Sequence, residues 1–221
     1  MNSFEVIWEY KEALAAGFAT TVALVGLVLL VGTLIGLGLE WVCSRLLPWL
    51  RPAADLVAFC ISAIPALVLL FWLYYPAQTL SGFTLSPFAT ASVALLILNT
   101  FAVYRIVADA AAEFPKQYTA TAMVSGLTRS QTLWHIQTPL MLRLIAPRWI
   151  DQQVVILQTS VFASLISVEE IFRVAQRINS RVYEPVTIYT AMALIFLATA
   201  GPALLIAKRL RQKISRDFSE R

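Results

Sequence analysis

The sequence predicts an all-α integral membrane fold of five transmembrane helices forming one membrane domain over residues 1–221, and three observations carry that prediction. Of its 221 residues, 59% are hydrophobic and only 14% charged, and the mean hydropathy is +0.73. Both lie outside the range of ordinary soluble domains. The apolar residues gather into runs close to the roughly 20 residues that cross a bilayer. The lysines and arginines gather between those runs, mostly on alternate sides.

The first run covers 17–39 and holds Gly26, Gly32, Gly36 and Gly38. Such glycines weaken a soluble helix, but in lipid they let neighbouring helices approach closely, and the Gly32/Gly36 pair reads as packing. The second run, 54–75, contains Pro65, which a membrane helix tolerates as a kink. The third, 88–107, is interrupted by Asn99 and Arg105. The fourth, 154–168, is short and serine-rich, and the fifth, 186–207, persists through Gly201 and Pro202.

Basic residues set the orientation, because positive loops stay in the cytoplasm. Arg45 and Arg51 follow the first run; Lys116, Arg129, Arg143 and Arg148 follow the third; Lys208, Arg209, Arg211, Lys213, Arg216 and Arg221 make up the tail. In a five-span layout these all fall on one side, so the N-terminus is expected outside and the tail inside. Arg173, Arg177 and Arg181 fall on the other side, partly offset by Glu169, Glu170 and Glu184. The net charge of +4 and pI near 9.3 therefore reflect membrane orientation rather than nucleic-acid binding. Cys43, Cys60 and the lone His135 form no metal-ligand pattern, and His135 is given no role. The N-terminal stretch to Lys11 carries Glu5 and Glu9 where a cleavable signal has a basic start, so no cleavage is expected.

The least ordinary segment is the loop 108–153, most of it cytoplasmic by the charge rule; ordered loops of this length are usually functional. Thr119 to Val124 is compatible with a short helix that stops at Ser125 and Gly126, residues suited to a helix end and a sharp turn. A second helical stretch, Arg129 to Gln137, is expected to end before Thr138 and Pro139. Two short helices at an angle, with Met123, Val124, Leu127 and Leu133 partly exposed, suit docking into a groove on another protein. They equally suit packing against their own bundle.

The loop reads TATAMVSGLTRSQTLWHIQTPLMLRLIAP, with Gly126, Pro139, Arg143 and Pro147 in the positions of a known pattern. It resembles the permeases of type I ABC importers, in the branch that handles polar amino acids, whose cytoplasmic loop carries EAA, three residues and Gly, then a Leu-Pro pair, an Arg and a further Pro. Gln158 to Phe162 and Glu170-Ile171 resemble that family's later segments, and the resemblance extends from Gly17 to Lys208. It implies a coupling helix at Ala120, Thr121, Ala122, Met123, Gly126 and Leu127. It also implies a second permease chain, identical or related, two cytoplasmic ATPase subunits, an external solute-binding protein, and a place in the bacterial inner membrane. The chain has no GxxxxGK[ST] phosphate cradle, so no cofactor of its own is expected and ATP would be bound by the partner subunit.

Several positions depart from the family pattern. Aligned on Gly126, its glutamate is Ala120 and its middle alanine Thr121. An Arg-Gly-Thr-Pro segment is replaced by Ser62, Ala63, Ile64 and Pro65; a usual lysine is Gln158; and a Glu with an Arg three positions on is replaced by Arg105 and Ala108. Arg105 either snorkels to the cytoplasmic interface or lines the translocation path, where its planar fork could hold a carboxylate. Gln153, Ser160, Ser164 and Ser167 recur at spacings that share one helical face. They either pack against a neighbour or, with Gln158, line a water-filled path. An ion-gradient transporter would want carboxylates at mid-membrane, and no span has one at its centre. A non-transporting scaffold is the other alternative.

Overall fold

The computed structural model describes residues 7–219, with the side chains of Lys116, Met123 and 215–219 outside the description. The expectations resting on Glu5, on the Met123 side chain and on Arg216 and Arg221 therefore lie outside the described residues. Among these residues the chain is helical, with no strand.

Helix α1, Lys11–Leu46, is continuous through two widened π turns at Val28–Gly32 and Val42–Leu46. Helices α2, Pro48–Ala63, and α3, Ala66–Ser81, meet at 96°. The kink expected at Pro65 is thus a full break. A proline pushes the preceding residue out of the helical region, and Ile64 is extended (φ −84°, ψ 123°), as is Pro65 (φ −56°, ψ 133°). Helix α4, Pro87–Glu113, starts on a Ser86 cap whose hydroxyl accepts the Ala89 N–H at 3.2 Å, and it runs six residues past the end of its apolar run. The short α5, Lys116–Val124, leads into α6, Arg129–Ile166. Helix α7, Ile171–Val182, is inclined 52° to α6, and α8, Pro185–Ser219, closes the chain.

Helices α1, α4 and α8 are each long and apolar enough to cross a membrane, and counting each bent pair as one span gives five. Helix α4 is the centre of the bundle: half of its most apolar window is buried, against 22% for α1 and 17% for α8. Large apolar side chains on α1, α2 and α8 such as Leu34, Phe59 and Leu197 are exposed, as a lipid-facing surface requires. The main core joins Leu24 and Val28 of α1, Leu70 of α3, Leu95 of α4 and Ile156 of α6. Glycine permits the closest approach: a Cβ on Gly36 would lie 2.6 Å from the Thr100 carbonyl oxygen of α4 and 2.8 Å from Val103 Cβ.

The second loop helix does not end before Thr138 and Pro139. It continues into α6 through a π turn at Leu133–Gln137. Proline lacks an N–H and its ring crowds the carbonyl four residues back. A widened turn opens the hydrogen-bond ladder where Pro139 enters, so the helix survives. Helix α6 then tightens to a 3-10 turn at Ser160–Ile166 and stops at Ser167 in the left-handed region (φ 69°). The change of pitch takes Ser167 off the face read from the spacing: Gln153, Ser160 and Ser164 are buried, and Ser167 is exposed.

Candidate functional site

The loop between α4 and α6 is built to present a short helix on a fixed base. Phe114 is extended before Pro115, ending α4 and releasing the chain into α5. Helix α5 ends at Val124, and Gly126 takes φ +78°, the left-handed turn that glycine adopts without steric cost. Thr128 then caps α6 in a reciprocal box: its hydroxyl accepts the Gln131 N–H at 3.3 Å and its own N–H donates to Gln131 Oε1 at 2.9 Å. Gln137 Nε2 donates to Thr119 Oγ1 at 3.2 Å, tying α5 to α6. Ala122 is buried on this base, Leu127 is half-buried, and Ala120, Thr121 and Gly126 are exposed. Val124 is 90% exposed and Trp134 68%. The loop therefore carries both a packed face and an exposed apolar one. His135 is exposed, with Nδ1 3.0 Å from the Gln131 carbonyl oxygen.

The second feature is a cleft of about 230 Å³ where the α2–α3 break faces α4 and α6. Its polar lining comes from Ser62, Arg105, Gln152 and Thr159, beside the exposed backbone bend at Ile64. The hydroxyls of Ser62 and Thr159 donate to their own helices, to Phe59 O at 2.9 Å and Val155 O at 2.7 Å, so both face the cleft as acceptors. Arg105 is the one charged group in this lining, and it makes no ion pair among the described residues. Of the residues read as a path, the structure brings only Arg105 to this cleft. Gln158 is exposed elsewhere on α6. Ser160 and Ser164 are buried, donating to Leu157 O at 2.8 Å and Val161 O at 2.7 Å.

Two polar arrangements were missed by the sequence reading of single runs. Asn99, fully buried, donates to the Val28 carbonyl oxygen at 3.0 Å and accepts from Gln153 Nε2 at 3.2 Å, joining α1, α4 and α6. Gln153 Oε1 is left without a partner. Glu170, also fully buried, caps α7 by accepting from the N–H groups of Phe172 at 3.0 Å and Arg173 at 2.7 Å, while Thr21 Oγ1 of α1 accepts the Ile171 N–H at 3.1 Å. An anion at a helix N-terminus satisfies donors that have no intrahelical partner. The available sequence signals were a polar residue inside an apolar run and an acidic residue just before an amphipathic helix.

Comparison with known proteins places these features in context. The family model described as "Binding-protein-dependent transport system inner membrane component" matches residues 29–216. The chain is 24% identical to the arginine ABC transporter permease protein ArtM of Haemophilus influenzae, over 93% of this chain and 94% of that one. It is 26% identical to the probable amino-acid ABC transporter permease protein YckA of Bacillus subtilis, over 96% and 97%. Among solved structures, its fold is similar to a chain of an amino acid ABC transporter crystallised with histidines (TM-score 0.82, 20% identity, 94% of this chain and 96% of that one). It is also similar to a chain of the inward-facing MetNI methionine ABC transporter (TM-score 0.69, 16% identity, 93% and 98%).

Proposed function

Because the chain belongs to the family of inner-membrane components of binding-protein-dependent transport systems, we propose that it is the membrane-spanning permease subunit of an ATP-driven importer for amino acids or related small polar solutes. It pairs with a second permease chain, identical or related, and works with two cytoplasmic ATPase subunits and an external solute-binding protein. The observation that carries this reading is the α5 helix: exposed at Val124, turned by Gly126 and fastened to α6 by Gln137. A short helix with an apolar tip suits a groove on a partner protein. With Ala120 where the related permeases carry glutamate, apolar contact holds the dock. The chain has no phosphate-cradling motif, so nucleotide hydrolysis belongs to the partner.

Movement of α5 passes through the Thr128 cap into α6, whose Gln152 and Thr159 line the cleft that Arg105 faces. In this reading Arg105 holds a solute carboxylate in a bidentate contact. The excess of basic residues supports an orientation with the α5 loop and the tail in the cytoplasm and the N-terminus and α7 outside. In a Cys60→Ser background, an impermeant thiol reagent on intact cells should label a cysteine at Ser81 and spare one at Ser130.

The deciding experiment for the function is reconstitution of the chain with its permease, ATPase and binding-protein partners in proteoliposomes. Binding-protein-dependent uptake of labelled amino acids, driven by internal or external ATP according to orientation, is expected. Uptake that needs an ion gradient and no nucleotide would overturn the proposal.

A further inference from the structure

The stretch of α6 around Arg143 and the stretch of α8 around Lys213 leave a cleft of about 330 Å³ between them, lined by Leu142, Arg143, Ala146, Leu210, Lys213 and Ile214. Its walls are of two kinds. Leu142, Ala146, Leu210 and Ile214 make an apolar surface, and Leu142 is 61% exposed. Arg143 and Lys213 stand one on each helix, and this lining contains no acidic residue. The nearby Arg211 is already engaged by Asp151 at 2.7 Å. Among the described residues Arg143 and Lys213 have no ion pair. Among the described residues, two cations thus flank an apolar cleft with no anion of the chain paired to them.

The position in the membrane narrows the class of ligand. Ala207 ends the apolar stretch of α8, and Lys213 lies six residues beyond it, about 9 Å along a helix axis. That distance reaches the outer edge of the lipid headgroup layer beyond the hydrocarbon core. An ammonium and a guanidinium lining one cleft suit a phosphate, which the planar guanidinium can grip with two N–H groups. The apolar wall beside them has no use for a free phosphate. It suits an acyl chain.

We propose that this cleft is a binding site for an anionic phospholipid, with the phosphate between Arg143 and Lys213 and one acyl chain laid along Leu142, Ala146, Leu210 and Ile214. Basic recesses between membrane helices near the charged surface are chemically suited to such headgroups. The proposal depends on the chain's being a multi-pass membrane protein and not on the identity of its solute.

The test uses the full chain in its intact complex, purified in mild detergent from a membrane containing phosphatidylglycerol and phosphatidylethanolamine. Native mass spectrometry reads the lipid that stays bound. The wild type should retain phosphatidylglycerol in preference. An Arg143→Gln/Lys213→Gln double variant should retain about tenfold less, as expected when two headgroup-level cations are removed. Arg209→Gln, a basic residue outside the lining, should retain the wild-type amount. Equal retention by the double variant overturns the site, and so does displacement of the lipid by millimolar inorganic phosphate as effectively as by added phosphatidylglycerol. A photoactivatable phosphatidylglycerol on the wild-type complex keeps the question decidable if the double variant fails to assemble. Crosslinks in peptides holding 142–146 and 210–214 support the proposal. Crosslinks confined to other peptides, or a protein subunit covering the cleft, refute it.

Discussion

Asn99 of α4 donates its side-chain N–H to the carbonyl oxygen of Val28 in α1 at 3.0 Å, at the first residue of a π turn. Its oxygen in turn accepts from Gln153 of α6 at 3.2 Å. One amide therefore links three helices in the interior, where an unpaired polar group has no water to turn to.

Asn99→Leu should leave the Gln153 amide without its partner and remove the added donor to the Val28 carbonyl. The expected loss is about 1–2 kcal/mol, seen as a lower unfolding temperature in detergent. Gln153→Leu should cost less on its own. The double variant should be less destabilised than the two singles summed, because both changes break one shared bond. Strict additivity would show that the pair is not coupled.

Gly36→Ala should separate α1 from α4, since its new methyl group would meet the Thr100 backbone oxygen at 2.6 Å and the branched Val103 side chain at 2.8 Å. A loss of about 1–3 kcal/mol is expected from such overpacking. Gly38→Ala provides the contrast. A Cβ there has no neighbour within 4 Å, so the substitution should be neutral or raise stability by up to about 1 kcal/mol through helix propensity. Thermal stability of the two purified variants distinguishes packing from propensity.

Gly126→Val should lower transport while leaving insertion intact. A Cβ on Gly126 would meet nothing within 4 Å, and the backbone φ is +78°, so the penalty is conformational, about 1–2 kcal/mol for a branched residue in the left-handed region. Gly126→Asn, which tolerates that region, should retain most activity. The readout is stimulation of the partner ATPase by the binding protein. Equal stimulation in wild type and the valine variant would separate this turn from coupling.

Arg105→Lys keeps the charge and removes the planar fork. If Arg105 grips a carboxylate in the cleft, the half-saturation concentration for uptake should rise about tenfold or more, with assembly unchanged. A snorkelling arginine would tolerate the change, and normal uptake kinetics would assign it that role.

Much of the architecture was legible because it rests on local chemistry. The Ser125-Gly126 pair announced a turn, Gly32 and Gly36 of the first run announced close packing, and the long apolar runs announced membrane helices. Two prolines were harder to read. Pro65 breaks its run by 96°, whereas Pro139 is absorbed by a π turn; the difference lies in whether the preceding turn can widen, which residue identity does not reveal. Asn99 looked like an interruption because its partners are 71 and 54 residues away. The Val28 carbonyl that Asn99 contacts belongs to a helical irregularity with no periodic signature. The exposure of Ser167 depended likewise on a change of helical pitch.

The continuity of α6 from Arg129 to Ile166 gives the loop a mechanical grip on the far side of the bundle. A helix of this length is a stiff rod on the order of 50 Å long, with its softest place at the π turn beside Pro139. In the proposed coupling role, tilting the end near Thr128 swings the end near Ser167 in the opposite sense about the packed stretch at Gln153 and Ile156. Displacement at one membrane face is then delivered to the other by leverage, without any relay of local rearrangements along the way.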